Sequence, residues 1–509
     1  MGRIDKAFKN IFFGSLGNFS TIIIRFISRS VFIHILGTTL LGVNGLYTNI
    51  LTVLSFAELG IGTAMNYSLY EPIAKNDIEK LKALMSLYRK AYFRIACIVS
   101  IVGLSIIPFL KYIITDPGSI SSNELILYYL IFLFNTVSTY FVSYKYSLAN
   151  ANQEGYIQTN IHTLTVIITT IVQIISLYIF RSFLIFLLIQ ALIGLIEKIF
   201  ISSYFNKKYR FLKEKDIVEV SNKDKEILKF NVKALIFHKI GEVGVHQTDN
   251  IIISSFINVT TVGLVSNYTL IITSIKTFIG IFFNSIIGGL GNLIATEDIE
   301  RQLSIFKVYR FLGFWLYGFS SVAFYTLLPP FINIWVGEEL VLSNLITSLI
   351  IIDFYLTGER GVSNNFKTAA GFFNDDKYVP FIQAIVNLLI SIFLVRQLGL
   401  VGVYFGTIIA SLIPMAIKPY VIYRIIFNEN ILEYFKDSVK YISATLLAIL
   451  VIDFLKNLIY SNSFWFNFSF QIILVLILTN FLFYILFRKT EELKYIKEIV
   501  LIKISKLKK

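Results

Sequence analysis

Long apolar stretches separated by short polar segments dominate the hydrophobic pattern of this chain. A helix needs about 20 apolar residues to cross a bilayer. Backbone N–H and C=O groups cannot stay unpaired in lipid, so stretches of this kind form helices that pair these groups internally. The pattern predicts fourteen spans, at residues 11–36, 41–66, 92–114, 124–147, 159–180, 182–204, 234–256, 262–290, 308–330, 343–358, 379–395, 400–426, 440–457 and 466–487.

The composition favours the same interpretation. Of the 509 residues, 56% are hydrophobic and 15% are charged, and the mean hydropathy is +0.71. A soluble domain has roughly 45–50% apolar and about 25% charged residues. The predicted fold class is therefore an all-α polytopic membrane protein. The single cysteine, Cys97, excludes an internal disulfide and any metal site with several cysteine ligands.

Charge asymmetry tests the number of spans independently. If the N-terminus is cytoplasmic, the inside segments carry 37 of the 46 Lys and Arg residues, and the outside loops carry four. Basic residues collect on the cytoplasmic side of membrane proteins. The sequence thus predicts a multi-pass protein of the cytoplasmic membrane with both termini inside. The net charge of +14 is then explained by the loops, and no nucleic-acid partner is expected.

The first twelve spans form an internal repeat. When the chain is shifted by 221 residues, 14 of the 51 positions from Thr39 to Arg89 are identical. Six spans repeat as six, and an even number preserves orientation, so the repeats are parallel. We therefore expect an N-lobe at 1–205, a cytoplasmic connector at 206–233 and a C-lobe at 234–428. Spans 13 and 14 and a basic cytoplasmic tail make up 429–509.

The tail places four apolar residues near helical spacing among lysines. Such a helix lies on the anionic inner leaflet, or the segment is a solvated basic tail. The four residues are Leu493, Ile496, Val500 and Leu507.

Several glycine-rich motifs resemble those of a known family. The segments 42–47 (GVNGLY) and 58–64 (ELGIGTA) resemble the second helix of polysaccharide transporters, and 399–407 (GLVGVYFGT) resembles their turn between helices eleven and twelve. With its 6+6+2 order, the chain resembles the multidrug/oligosaccharidyl-lipid/polysaccharide exporter superfamily, and within it the Wzx-type flippases. This resemblance implies transfer of an undecaprenyl-diphosphate-linked oligosaccharide, the repeat unit of a surface or capsular polysaccharide, from the inner to the outer leaflet by alternating access.

Signals for an enzyme are weak. The sequence has no GxxxxGK[ST] segment that would cradle a nucleotide phosphate and no HExxH zinc motif, and it has only four histidines. We expect no cofactor, no metal site and no catalytic residue. The acidic run 374–376 (NDD) is interpreted as a helix N-cap rather than as a metal ligand of a glycosyltransferase.

Polar side chains inside the spans are more informative, because an ionised residue at the bilayer centre costs about 2.5–3.5 kcal/mol. The repeat superposes the polar face of span 1 on that of span 7, and we expect both faces to line a shared cavity. Lys276 adds a cation in span 8. The face of span 1 consists of Asn18, Thr21, Arg25, Ser28 and Arg29, and that of span 7 of His238, Glu242, His246 and Asp249.

Arg25 and Arg29 are the candidates for binding the diphosphate that the resemblance implies, with Asn18 and Ser28 beside them. A guanidinium binds phosphate oxygens in pairs and stays charged in a low dielectric. The alternative is structural: the arginines pair with Glu242 or Asp249 and tie the lobes together. Lys276 binds the same headgroup or balances a carboxylate.

Glu242, His246 and Asp249 are the candidates for coupling transport to an ion gradient, with H⁺ or Na⁺ as the ion. No nucleotide site is present to supply energy, and the pKa of a histidine, near 6.5, suits changes of protonation. Membrane lipids and glycan-assembly proteins are the other expected partners.

Two other functions remain open at this stage. The first is a multidrug cation antiporter of the same superfamily, although cavity arginines would repel organic cations. The second is a membrane-embedded glycan polymerase or acyltransferase. Such an enzyme needs a catalytic loop outside or a histidine with acidic partners inside the membrane, and only the span 7 cluster approaches that pattern.

Overall fold

The computed structural model describes residues 3–58, 61–214, 220–221, 226, 244–245, 247–372, 376–459 and 461–507. These residues are almost entirely helical and contain no β-strand. They form two compact units, Met1–Ser266 and Asn267–Lys509.

The first unit contains seven helices, the segment 247–256 and the first turns of α8 among its described residues. Short 3₁₀ turns connect some of them, at Ser55–Glu58, Ile107–Phe109 and Arg210–Lys213. The helices are α1 (Arg3–Leu54), α2 (Ile61–Ala74), α3 (Ile78–Ile106), α4 (Leu110–Ile113), α5 (Ser122–Ala151), α6 (Gly155–Phe180), α7 (Phe183–Lys208) and α8 (Val259–Thr296).

The second unit contains the remainder of α8 and the helices that follow it. Residues Val421–Ile426 extend α12 as a π-helix, and Val475–Thr479 join α14 to α15 in the same way. The helices are α9 (Ile299–Val336), α10 (Asn344–Ala369), α11 (Val379–Leu398), α12 (Leu400–Tyr420), α13 (Ile431–Leu458), α14 (Phe464–Leu474), α15 (Asn480–Phe487) and α16 (Glu491–Leu507).

Helix α1 provides two spans. At 1.5 Å per residue its 52 residues would extend about 78 Å, more than twice the hydrocarbon thickness of a bilayer. The helix is broken at Gly37, whose φ of 80° and ψ of 177° are non-helical. Glycine adopts a positive φ without the steric cost that a Cβ imposes. Residues 3–36 and 38–54 therefore act as two arms. The first contains the predicted span 1, and the second covers the predicted span 2 (41–66) only as far as Leu54, because a 3₁₀ turn at Ser55–Glu58 and the start of α2 follow.

The predicted fold class is confirmed. Eleven helices among the described residues are long and apolar enough to span a membrane, and α1 counts among them once. The second arm of α1, the less apolar α10 and the predicted span 7, of which the segment 247–256 is described, account for the difference from fourteen, and that number remains a prediction. The protein is thus a multi-pass helical membrane protein. The predicted lobe boundaries remain a prediction, and most of the connector lies outside the described residues.

Two cytoplasmic segments between predicted spans are largely helical. Between spans 2 and 3, α2 continues to Ala74 and α3 begins at Ile78, and between spans 8 and 9, α8 continues to Thr296 and α9 begins at Ile299. Asp77 caps α3 by accepting a hydrogen bond from the Lys80 N–H at 2.9 Å. The repeat equivalent, Asp298, caps α9 in the same way through Arg301. Hydropathy identifies only the lipid-buried part of a helix. It therefore does not predict where a helix with a polar N-cap continues beyond the bilayer.

The C-terminal helix α16 packs on protein. Leu493 is buried, and Ile496 packs on the same cluster, which includes Phe311 of α9 and Phe487 of α15. Arg301 lies over the ring of Tyr495, 5.2 Å from its centroid. The first turns of the tail therefore pack their apolar side against other helices of the second unit, and this side is not exposed to solvent.

Candidate substrate site

The first arm of α1 presents two cationic side chains one turn apart. Arg25 is exposed and Arg29 is half-buried, and the two like charges act on each other. Ser28 is half-buried beside them, and Asn18 is exposed further along the helix. Four of the predicted substrate residues thus lie on one helix, with Arg25, Ser28 and Arg29 within about one turn and Asn18 about two turns away.

Packing against α6 sets the orientation of this arm. Gly17 is buried, and a Cβ at this position would lie 2.6 Å from Thr163 Oγ1. Thr21 Oγ1 donates a hydrogen bond to the Gly17 carbonyl at 2.7 Å. The hydroxyl of Thr21 thus bonds within its own helix. The long side chains of the two arginines are the groups on this face that can reach a ligand away from the helix.

Arg29 is held by a residue that the sequence analysis missed. Its Nη1 donates to Ser266 Oγ at 2.7 Å, and Ser266 Oγ in turn donates to the Gly263 carbonyl at 2.7 Å. Ser266 lies on α8, within the first unit. The repeat gave a signal for it, because Ser266 is the equivalent of Gly45 in the motif GVNGLY.

Among the described residues, no carboxylate lies within salt-bridge distance of Arg25 or Arg29. Asp249 is half-buried in the helical segment 247–256. Glu242, His246 and His238 lie outside the described residues. The predicted ion pairs and the predicted coupling cluster therefore remain predictions.

Lys276 belongs to the second unit. It is half-buried on α8, ten residues beyond Ser266. Its expected role beside the arginines stays a prediction.

A close contact between repeat equivalents lies next to Arg29. Gly42 of α1 meets Gly263 of α8: a Cβ at either glycine would lie 3.1–3.2 Å from the backbone nitrogen of the other. Thr39 Oγ1 and Thr260 Oγ1, also repeat equivalents, are hydrogen-bonded at 3.0 Å. We call this contact between residues 38–45 and 259–266 the twin-glycine crossing.

A second contact holds the start of α8 nearby. The Thr115 N–H donates to the Ser254 carbonyl at 3.2 Å, and the Val259 N–H donates to the Thr115 carbonyl at 3.2 Å. Ser254 Oγ adds a bond of 2.7 Å to the Ile113 carbonyl. The end of α4 therefore clamps the turn that precedes α8.

The second unit contains an arginine in a different setting. Arg310 of α9 is 2% exposed and its Nη2 lies 2.8 Å from Glu359 Oε1 of α10. Ser438 of α13 donates to the same carboxylate at 2.6 Å, and the guanidinium lies 3.4 Å from the ring centroid of Tyr434. This cluster ties three helices together.

The expectation that the acidic run 374–376 caps a helix is wrong for Asp376. Its carboxylate pairs with Lys367, and both side chains are buried. Tyr378 occupies the N-cap position of α11, and its side chain does not cap the helix. Asn374 and Asp375 lie outside the described residues. Burial of the lysine explains the difference, since an ammonium removed from water requires a partner.

The fold is shared with several solved transporters. A structure of the lipid II flippase MurJ in an inward closed conformation is similar over 94% of this chain and 99% of that one, with a TM-score of 0.65 and 15% identity. An inward-facing multidrug resistance transporter of the MATE family in the MOP superfamily is similar over 78% of this chain and 93% of its own, with a TM-score of 0.60 and 12% identity.

A third structure, a MATE transporter from Vibrio cholerae, is similar over 84% of this chain and 97% of its own, with a TM-score of 0.57 and 14% identity. No protein-family model and no curated protein matches the sequence. The fold is that of MOP-superfamily transporters. At these identities the similarity concerns the fold, and the resemblance to Wzx-type flippases is a matter for the proposal below.

Proposed function

We propose that this chain is a flippase that moves an undecaprenyl-diphosphate-linked oligosaccharide, the repeat unit of a surface or capsular polysaccharide, across the cytoplasmic membrane. The observation that carries the proposal is the set of partners that Arg29 has among the described residues. Its guanidinium lies on a spanning helix, where the described residues offer it a serine hydroxyl rather than a carboxylate. A diphosphate supplies the paired oxygens that a guanidinium binds best.

The cost of the arginines supports a functional role. A charged residue inside a span costs about 2.5–3.5 kcal/mol, and a structural arginine offsets that cost with an ion pair. Arg310 has such a pair in Glu359, and Arg29 has none among the described residues. The presence of Arg25 and Arg29 on one face is then best explained by an anionic ligand. Ser28 and Asn18 would be its hydrogen-bonding neighbours.

The fold supports transport by alternating access rather than catalysis. The similar structures are a flippase and multidrug transporters. Two parallel repeats that are related by an axis along the membrane normal, and that rock against each other, would expose a cavity to each side in turn.

A multidrug cation antiporter is the second candidate, and the similarity to MATE transporters favours it. The charge of the α1 face argues against it, because two arginines without a described carboxylate partner repel organic cations. The two functions therefore differ in the sign of the charge that the site accepts.

We further propose that transport is coupled to an H⁺ or Na⁺ gradient through Glu242, His246 and Asp249. In proteoliposomes, a double Glu242→Gln/Asp249→Asn variant should still bind lipid substrate but no longer respond to an imposed gradient. If transport by that variant still responds fully to the gradient, the role of these carboxylates is to neutralise Arg25 and Arg29.

The proposed topology places both termini in the cytoplasm. Single cysteines introduced near Thr38, Ser119 and Ser461 in a Cys97→Ser background should react with an impermeant reagent added outside. A cysteine near Lys80 should not react, and outside labelling there would overturn the topology.

The function is tested by expressing the protein in bacteria that lack their own oligosaccharide-lipid flippase. Restored surface glycan, together with no efflux of cationic dyes from vesicles, supports the flippase. Dye efflux without glycan export would establish the antiporter instead. The Arg25→Ala/Arg29→Ala double variant should fail to restore glycan while being present in the membrane in normal amounts.

A further inference from the structure

The twin-glycine crossing has the local symmetry of the repeat. A Cβ at Gly42 would overlap the Val259 carbonyl, and a Cβ at Gly263 would overlap the carbonyl of Thr38, which is the repeat equivalent of Val259. Contacts of this reciprocal kind are those of two equivalent elements around a two-fold axis. The crossing therefore has local two-fold symmetry, and the hydrogen bond between Thr39 and Thr260 shares it.

Close approach makes the crossing a barrier to passage. The two helix backbones meet at Gly42 and Gly263 with no room for a side chain between them. The crossing lies just after Gly37, which falls in the predicted outer turn between spans 1 and 2. In the proposed transport cycle this side must open to release substrate, so the crossing must separate.

A hydrogen-bond relay joins this barrier to the candidate substrate site. Arg29 donates to Ser266, and Ser266 donates to the carbonyl of Gly263 within the crossing itself. The relay uses Nη1, one of the two terminal nitrogens of the guanidinium fork. A diphosphate bound by the fork competes with Ser266 for that nitrogen.

We propose that Ser266 is a positioning residue that couples Arg29 to the twin-glycine crossing, so that a diphosphate bound at Arg29 releases the crossing. This inference rests on the proposed flippase function. In the closed state, Arg29 is bonded to Ser266, and Ser266 is bonded to the backbone of α8, so the position of Arg29 is fixed relative to α8. When phosphate oxygens take the guanidinium, the link from α1 to α8 is lost and the crossing opens more readily.

The energetics favour this direction. A bond between a guanidinium and phosphate is roughly twice as strong as one between neutral groups, and it is often bidentate. A ligand shifts a conformational equilibrium only through its different affinity for the two states. Because the closed crossing occupies Arg29 Nη1, the diphosphate binds the open state more tightly. An empty transporter would thus stay closed on the outer side.

The test measures closure by disulfide formation across the crossing. Thr39→Cys and Thr260→Cys are introduced together in a Cys97→Ser background, since their hydroxyls are 3.0 Å apart. The purified protein is oxidised with and without farnesyl diphosphate, and binding of this probe is followed separately by thermal unfolding. We expect the bound probe to slow disulfide formation by about fivefold, the factor expected for the loss of one hydrogen bond.

Ser266→Ala should remove this response while the probe still binds. Ser274→Ala is the matched control, because Ser274 Oγ also donates to a backbone carbonyl of α8, at 2.7 Å, but contacts no arginine through a described bond. Ser266→Thr keeps the hydroxyl and should restore the response. An equal response to bound probe in Ser266→Ala and Ser274→Ala would overturn the proposal.

A double-mutant cycle without probe separates this inference from the proposed function. Ser266→Ala, Arg29→Ala and the double variant should slow disulfide formation to the same extent, because each breaks the same relay. Additive effects would disprove the coupling. If the probe binds to none of the proteins but the cycle is non-additive, the substrate assignment fails and the coupling stands.

Discussion

Arg29 and Arg310 are both buried to some degree in a helical membrane protein, but their surroundings differ in kind. Arg310 is 2% exposed and is neutralised by Glu359, with a tyrosine ring stacked on its guanidinium. Arg29 is half-buried and its described partner is the hydroxyl of Ser266. A charge with its own counter-ion is a structural element, and a charge that the described part of the chain leaves without one fits a role in binding a ligand.

The difference also extends to what each arginine connects. Arg310 joins α9, α10 and α13, so removing its partner leaves a buried charge in the core of the second unit. Arg29 joins α1 to α8 beside a contact that must break in the proposed transport cycle. The bonds of Arg310 stabilise one fixed arrangement of three helices. The bond from Arg29 to Ser266 can be replaced by a bond from Arg29 to a ligand.

The largest effect is expected for Glu359→Ala. This change leaves the Arg310 guanidinium buried without a counter-ion, which costs about 3–5 kcal/mol. Little folded protein should be recovered from membranes, as measured by size-exclusion chromatography and thermal unfolding. The control is Glu433→Ala. Glu433 is exposed and its carboxylate lies 3.3 Å from the half-buried Lys307, so a loss of about 0–1 kcal/mol is expected. Equal behaviour of the two variants would contradict the structural role of the Arg310 cluster.

The next largest effect is expected for Arg29→Ala. Transport should fall at least about a hundredfold, which corresponds to about 2.8 kcal/mol, while the amount of folded protein stays near that of the unmodified chain. Arg29→Lys should recover part of the activity, because an ammonium keeps the charge but not the fork. Arg94→Ala, at an exposed arginine of α3, serves as control. A loss of folded protein that accounts for all the lost transport would show that Arg29 is structural like Arg310.

A smaller effect is expected for Gly42→Ala. The added Cβ overlaps the Val259 carbonyl, so the crossing cannot close as it does here, at a cost of about 1–3 kcal/mol. Gly45→Ala is the matched control one turn away, since its Cβ would meet Val262 Cγ1 at an ordinary 3.7 Å. Disulfide formation between cysteines at 39 and 260 reports closure. Similar closure in both variants would refute the close approach at Gly42.

The smallest effect is expected for Thr260→Val, which removes one hydrogen bond to Thr39 and keeps the shape of the side chain. The cost should be about 0.5–1.5 kcal/mol, visible as a small fall in thermal stability. Thr273→Val, whose hydroxyl bonds only within α8 among the described contacts, is the comparison. An effect as large as that of Gly42→Ala would mean that the hydroxyl pair, not the backbone contact, closes the crossing.

Much of the fold was predictable because lipid imposes a simple rule on sequence. Apolar length located the spans, and the 221-residue repeat even related Asp77 to Asp298, which cap equivalent helices in the structure. The helical extensions beyond the bilayer were not predicted, because polar helices and polar loops have the same hydropathy.

The candidate site was predictable only in part. The arginines stood out because charge is costly inside a span. Ser266 did not, since a serine in an apolar helix is common and its value here comes from a neighbour 237 positions away. The burial of Arg310 was not predicted for the same reason: it falls near the start of the predicted span 308–330, and only tertiary packing brings Glu359 to it.

The most direct test of the flippase proposal is the transfer of a fluorescent prenyl-diphosphate-linked disaccharide across proteoliposomes. The amount reaching the opposite leaflet is measured by quenching from outside, for the unmodified chain, Arg29→Ala and Arg94→Ala at equal protein density. We expect transfer with the unmodified chain and Arg94→Ala, and transfer near that of empty liposomes with Arg29→Ala. Equal transfer by all three proteins, or none by the unmodified chain, would contradict the assignment of Arg29 to the diphosphate of a flipped lipid.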